Sequence, residues 1–251
     1  MRIAVGGKGG VGKTTLAALI VRKLLVSGRT PILAVDADPN TNLPEAVGLP
    51  VQTTIGGILA GFIDEKSSIP PGMTKESYLE VKMHRAVSEG NGVDLVAMGR
   101  GEGPGCYCYP NLILRKFVEE LSGNYPYVVI DNEAGMEHLS RRTSERIDHM
   151  ILVSDPTLRG VRSVRRIREL IDELKLEVGR TSLVIMRAAD SLPPAVEAEI
   201  RSCGAPLAGI VPSDPRVQEF DLALRSLVEL PADSPAVRAV DVLFESQDIL
   251  C

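Results

Sequence analysis

Short apolar runs recur along the chain, with stretches of mixed polarity between them. After Arg2-Ile3-Ala4-Val5 come Pro31-Ile32-Leu33-Ala34-Val35, Val93-Asp94-Leu95-Val96-Ala97-Met98 and Tyr127-Val128-Val129-Ile130. Met150-Ile151-Leu152-Val153, Ser182-Leu183-Val184-Ile185-Met186 and Leu207-Ala208-Gly209-Ile210-Val211 follow. The runs are brief, rich in β-branched residues and apolar at nearly consecutive positions, as strands covered on both faces must be. The stretches between them carry the longer period of helices. Thr14 to Val21 opens one, and Val161 to Lys175 sets Val164, Ile167, Leu170, Ile171 and Leu174 on a single stripe. The other side of that second helix carries Arg162, Arg165, Arg166, Arg168 and Glu169 and reads as a solvated face. Alternating strands and helices predict an α/β fold in three layers. A mainly parallel sheet of about seven or eight strands has helices on both faces and a ligand crevice at the strands' carboxyl ends. The least regular region, Asn40 to Asn91, is broken by Pro70-Pro71-Gly72 and Glu89-Gly90-Asn91-Gly92 and predicts an insertion with short helices.

At 251 residues the chain suits a single domain spanning 1–251. A formal net charge of −5 gives no electrostatic footprint for nucleic acid. No apolar run reaches the length of a bilayer span, and Val237 to Leu250 carries Asp241, Glu245 and Asp248, the wrong sign for a membrane-surface anchor. Neither nucleic acid nor membrane is therefore an expected partner. The first residues already read as a core strand, so no signal peptide is expected, and four cysteines are too few for a disulfide framework. Cytoplasmic localisation is the expectation.

Between the first predicted strand and helix lies Gly7-Lys8-Gly9-Gly10-Val11-Gly12-Lys13-Thr14-Thr15, in which Gly7 to Thr14 fits the phosphate-loop pattern G-x-x-x-x-G-K-[ST]. Glycines let the backbone curl so that successive N–H groups face phosphate oxygens at the positive end of a helix. Lys13 then reaches the β- and γ-phosphates, and the Thr14 hydroxyl ligates Mg²⁺. Two acidic strand ends add to this. The run ending at Val35 continues as Asp36-Ala37-Asp38-Pro39-Asn40, whose two aspartates point the same way from an extended backbone toward the crevice. One suits Mg²⁺ through water and the other suits orienting an attacking water. Ile130 is followed by Asp131, at the second Mg²⁺-supporting position of phosphate-loop enzymes.

Lys8 to Thr15, Asp36-Ala37-Asp38-Pro39 and Asp131 together resemble the deviant Walker A ATPases, the group of MinD, ParA and the nitrogenase iron protein, over essentially the whole chain. The resemblance implies a P-loop NTPase fold and Mg²⁺-dependent hydrolysis of ATP to ADP and phosphate. It implies that Lys8 reaches across an ATP-bound homodimer to the partner's phosphates, that Asp38 positions the hydrolytic water, and that Asp36 and Asp131 support Mg²⁺. For the base it implies Arg187, preceded here by Met186 where the family carries asparagine, and the Pro212–Asp214 part of Val211-Pro212-Ser213-Asp214-Pro215.

A cysteine pair points further. Gly103-Pro104-Gly105-Cys106-Tyr107-Cys108-Tyr109-Pro110-Asn111 follows the strand ending at Met98 and precedes a helix predicted from about Leu112 to Leu121. Two thiolates can bind a soft metal, but a tetrahedral site wants four ligands, which a two-fold dimer supplies from two copies. A redox disulfide or two structural thiols are the alternatives. Cys203 and Cys251 have no partner at ligand spacing, and His84, His138 and His149 are isolated. With Asp131-Asn132-Glu133-Ala134-Gly135-Met136-Glu137-His138-Leu139-Ser140-Arg141, the pair resembles the branch of nickel-insertion accessory ATPases that mature carbon monoxide dehydrogenase. That branch implies Ni²⁺ or Zn²⁺ on Cys106 and Cys108, a homodimer in the ATP- or metal-bound state, and apo carbon monoxide dehydrogenase as client. An iron–sulfur carrier or reductase of the same family, and an ATP-driven positioning or partitioning switch, are the alternative functions.

Overall fold

The strands are β1 (Arg2–Gly7), β2 (Ile32–Asp36), β3 (Val93–Ala97), β4 (Tyr127–Asp131), β5 (Ile147–Ser154), β6 (Val178–Ala188) and β7 (Leu207–Pro212). They form one sheet in the order β3-β2-β4-β1-β5-β6-β7, with every neighbouring pair parallel. The computed structural model describes residues 1–64, 69–100, 117–133, 146–189 and 191–246, and for residues 63–64 the backbone alone. The order explains where a ligand belongs. From β1 the chain first builds toward one edge, through β2 and β3, and later toward the other, through β5 to β7. The carboxyl end of β1 therefore lies beside the topological switch point.

Helices cover both faces because successive strand residues point to opposite sides. Ile3, Val5, Ile32, Ala34, Val129, Ile151 and Val153 face one layer, packed against α1 (Lys13–Val26), α2 (Leu43–Val47) and α8 (Pro235–Ser246). On the other face Ala4, Met150, Leu152, Leu183 and Ile185 meet α5 (Leu158–Glu173) and α6 (Pro194–Arg201). Beside them Leu33, Val35, Val96 and Val128 meet α3 (Ile55–Asp64), α4 (Lys75–His84) and the helical residues 117–123. Each buried Val, Leu or Ile contributes about 1.5–3 kcal/mol, so the consecutive apolar runs act on both layers at once. The irregular region holds three short helices, as expected, and α3 and α4 serve as cover for the sheet.

Boundaries shift for local reasons. The α5 helix starts at Leu158 rather than Val161, because the Thr157 hydroxyl accepts the Gly160 N–H at 3.0 Å and caps it. Its arginine face is solvated and paired: Arg162 and Arg165 meet Glu199 of α6 at 3.2 and 2.7 Å, and Arg168 meets Asp172 at 2.5 Å. Strand β6 begins at Val178, before the predicted Ser182, because Arg180 and Thr181 continue the ladder opposite His149 and Met150. Val237, Val240, Leu243 and Phe244 of α8 lie in the core. Among the described residues no helix is long and apolar enough to cross a membrane.

Candidate nucleotide site

The phosphate loop leaves the sheet through Gly7, which pairs with Val153. A Cβ on Gly7 would overlap the Val153 carbonyl, so only glycine fits against β5 there. Gly10 (φ 76°) and Gly12 (φ 100°) both take left-handed conformations. Gly12 occupies the capping position of α1 with no side chain to satisfy the first N–H groups, and the first turn carries no acidic residue. The helix therefore offers its unpaired donors and positive end to an anion. Lys13, nearly buried, folds back so that its Nζ donates to the Lys8 carbonyl at 3.3 Å, while Lys8 itself is exposed.

The acidic strand ends meet this loop from the neighbouring strands. Asp36 and Asp131 stand opposite each other across β2 and β4, and Asp131 also pairs in register with Val5 of β1. The Thr14 hydroxyl donates to Asp131 Oδ2 at 2.6 Å, while Asp131 Oδ1 is enclosed with no partner among the described residues. An unpartnered buried carboxylate oxygen beside a threonine hydroxyl and a lysine fits the donor set of a hard cation such as Mg²⁺. Burial pushes the Asp131 carboxyl up to about 7, with Asp36 and Asp38 adding to the rise and Thr14 and Lys13 opposing it.

Asp36 also shapes the loop that follows β2. It is fully buried, and its two oxygens accept the backbone N–H groups of Asp38 at 3.0 Å and Leu43 at 2.8 Å. Asp36 thus pins the loop that carries Asp38, and burial raises its own pKa to about 6. Asp38 is half-exposed at the turn, where its Oδ1 accepts the Asn40 backbone and side-chain N–H groups at 2.9 and 3.0 Å. The aspartates divide the work, one holding the loop and one facing outward.

The base-side residues also separate. Arg187 is exposed, has a left-handed backbone (φ 56°), and donates from Nη2 to the Gly10 carbonyl at 2.5 Å. Met186 packs beneath Gly12. Pro212 ends β7, and Asp214 caps two helices. It accepts the Arg216 N–H of α7 (Pro215–Leu222) at 3.0 Å, the Ala236 N–H of α8 at 3.1 Å, and the Ser234 hydroxyl. Those hydrogen bonds hold its carboxyl below the ordinary range even against the cost of burial. The Asp-Pro step, a helix-start signature, carried this signal in the sequence. Asn132 was not anticipated: its backbone N–H and its Nδ2 both donate to the Val5 carbonyl at 3.0 Å and lash the end of β4 to β1. Cys106, Cys108, His138 and Cys251 lie outside the described residues. Cys203 is buried with its thiol toward the Ala205 carbonyl, His149 meets Ser182 at 2.8 Å, and His84 stacks edge-on to Phe117. Among the described residues no group of three or more His, Cys, Asp or Glu could hold a metal ion.

A parallel sheet with a glycine-rich loop at its switch point, a loop lysine and acidic neighbouring strand ends defines a P-loop nucleotide-binding protein. Residues 3–226 match the family model described as the CobQ/CobB/MinD/ParA nucleotide binding domain. The chain belongs to that family and is an ATPase of the MinD/ParA type. It is 39% identical over 247 residues to an uncharacterized ATP-binding protein of Methanocaldococcus jannaschii, covering 98% of this chain and 97% of that one. It is 29% identical over 252 residues to the carbon monoxide dehydrogenase accessory protein CooC of Rhodospirillum rubrum, covering 95% and 92%. Among solved structures, the septum site-determining protein MinD of Pyrococcus horikoshii, complexed with Mg-ADP, superposes with a TM-score of 0.71 at 22% identity, covering 99% and 96%.

Proposed function

We propose that the chain is a single-domain ATP-hydrolysing metallochaperone of the CooC kind, delivering nickel to apo carbon monoxide dehydrogenase. The observation that carries this is the likeness to CooC along 95% of the chain, in a sequence with a Cys106-Tyr107-Cys108 pair in a glycine-rich segment after β3. ATP is held by Gly7 to Thr15, with Lys13 on the phosphates and Pro212 toward the base. Asp214 acts there through the two helix starts it caps. Thr14 would ligate Mg²⁺, with Asp36 and Asp131 supporting it through water, and the ion would supply charge neutralisation at the phosphates. Asp38, held by Asp36, orients the water. Lys8 is exposed at the mouth of its own loop while Lys13 is folded inward, which suits Lys8 to a phosphate on a second copy.

ATP then favours a closed homodimer in which two Cys106/Cys108 pairs share one Ni²⁺ or Zn²⁺ as cargo, and hydrolysis releases it by favouring the open state. A membrane or partitioning switch fits less well, since α8 spends its apolar face on the core. Metal analysis tests the proposal. Wild type loaded with Ni²⁺ retains one ion per two chains, and Cys106→Ser with Cys108→Ser retains none. An unchanged stoichiometry in the double variant refutes the metal role. A brown protein with visible absorption would instead mark an iron–sulfur carrier.

A further inference from the structure

The phosphate loop is supported unevenly. At its start Gly7 presses on β5, and at its end Gly12 rests on Met186, whose Cε, Cγ and Cβ lie 3.4, 3.5 and 3.6 Å from the place a Cβ would take. Between them a Cβ built on Gly10 meets no atom of the described residues within 4 Å. No packing against a Cβ orients that residue, and glycine's conformational freedom leaves its backbone to be set by other contacts. A charged side chain supplies such a contact: Arg187 Nη2 donates a hydrogen bond to the Gly10 carbonyl.

Arg187 is brought there by a deliberate irregularity. The β6–β7 register shifts between Met186 and Ala188, so Arg187 falls in a bulge with φ 56° and faces out of the sheet. A bulge re-aims one side chain while the strand continues on either side. Without it, alternation would leave residue 187 pointing opposite to Met186, away from the loop's support. In a trans peptide the C=O and the following N–H point in opposite directions. Fixing the Gly10 carbonyl therefore fixes the Val11 N–H on the other side of that plane.

Resting on the nucleotide site proposed above, we infer that Arg187 is a positioning residue for the phosphate loop. Its guanidinium pins the Gly10–Val11 peptide so that the Val11 N–H is presented to the phosphates before ligand arrives. Arg187 thus acts on the triphosphate through the backbone, whatever base is attached. A contact from a charged donor, partly exposed, is worth about tenfold in affinity when the loop must otherwise order itself on binding.

Inorganic tripolyphosphate, which has no base, separates this from base recognition. Calorimetric titration with Mg²⁺ present would compare ATP and tripolyphosphate on wild type, Arg187→Asn and Arg187→Lys. Asparagine tolerates the left-handed backbone, so the bulge is kept while the guanidinium is lost. The expected result is an equal loss of about tenfold for both ligands in Arg187→Asn, with partial recovery for both in Arg187→Lys. Loss of ATP affinity with tripolyphosphate binding intact would overturn the inference and assign Arg187 to the base. Unchanged affinity for both ligands would overturn it as well. If Arg187→Asn fails to fold, Arg187→Lys decides by the same comparison, because lysine keeps the charge and loses the fork. Wild type that binds neither ligand would instead bring down the nucleotide site itself.

Discussion

Asp131→Asn should make the nucleotide-free protein more stable while damaging its site. Asp131 is 1% exposed, and burial raises its pKa from 3.8 to about 7. A carboxyl with a raised native pKa holds its proton more tightly folded than unfolded. Its contribution is therefore fully present below about pH 4 and is lost as pH rises through about 7. The full rise corresponds to about 4 kcal/mol. Asparagine keeps the shape and still accepts from Thr14, but it sets an amide N–H₂ where Asp131 Oδ1 has no partner among the described residues, costing about 2 kcal/mol. The net gain at pH 8.5 is about 2 kcal/mol, or a melting temperature higher by about 4–8 °C. Near pH 4 the gain vanishes and the variant melts no higher than wild type. Mg-ATP at a hundredfold excess over its Kd stabilises wild type by about 2.7 kcal/mol, and the variant, lacking the anionic oxygen, by less. Differential scanning calorimetry from pH 4 to 8.5, with and without Mg-ATP, measures all of this. An apo variant less stable than wild type at pH 8.5, or a gap independent of pH, would refute the reasoning.

Lys8→Ala should reduce ATP turnover by about a thousandfold, as loss of a charge supplied in trans does, while fluorescent-nucleotide titration shows little change in affinity. Mixing Lys8→Ala with Asp38→Asn should restore part of the phosphate release, because one site of the mixed dimer then has both Lys8 and Asp38; failure to complement would place Lys8 in its own subunit's site. Gly12→Ala forces a side chain into φ 100° against Met186, so its melting temperature should fall by about 2–8 °C and nucleotide binding should weaken.

Features that depend on local pattern were legible in the sequence, and features that depend on strand register were not. Consecutive apolar residues named every strand of the sheet, since burial on both faces leaves no room for alternation. Strand ends came out short where polar residues such as Arg180 pair in the ladder beyond the helical cover. The loop from Gly7 to Thr15 was readable because glycine, lysine and threonine are fixed by phosphate chemistry at fixed spacing. The task of Asp36 was not readable, because its grip on the Asp38 and Leu43 N–H groups follows from how the chain turns after β2. The contact of Arg187 with Gly10 spans 177 positions and rests on a register shift between β6 and β7, which no single segment encodes. Asp214 was noticed for the base, although Asp-Pro announces the cap that it makes.

The central claim is that nucleotide closes two chains around one another. Sedimentation equilibrium of Asp38→Asn, which under the proposed role of Asp38 should bind ATP without turning it over, measures this directly with Mg-ATP and then with Mg-ADP. The account predicts twice the 27.0 kDa of one chain with ATP and a return to one chain with ADP. A mass that is the same with either nucleotide would contradict it.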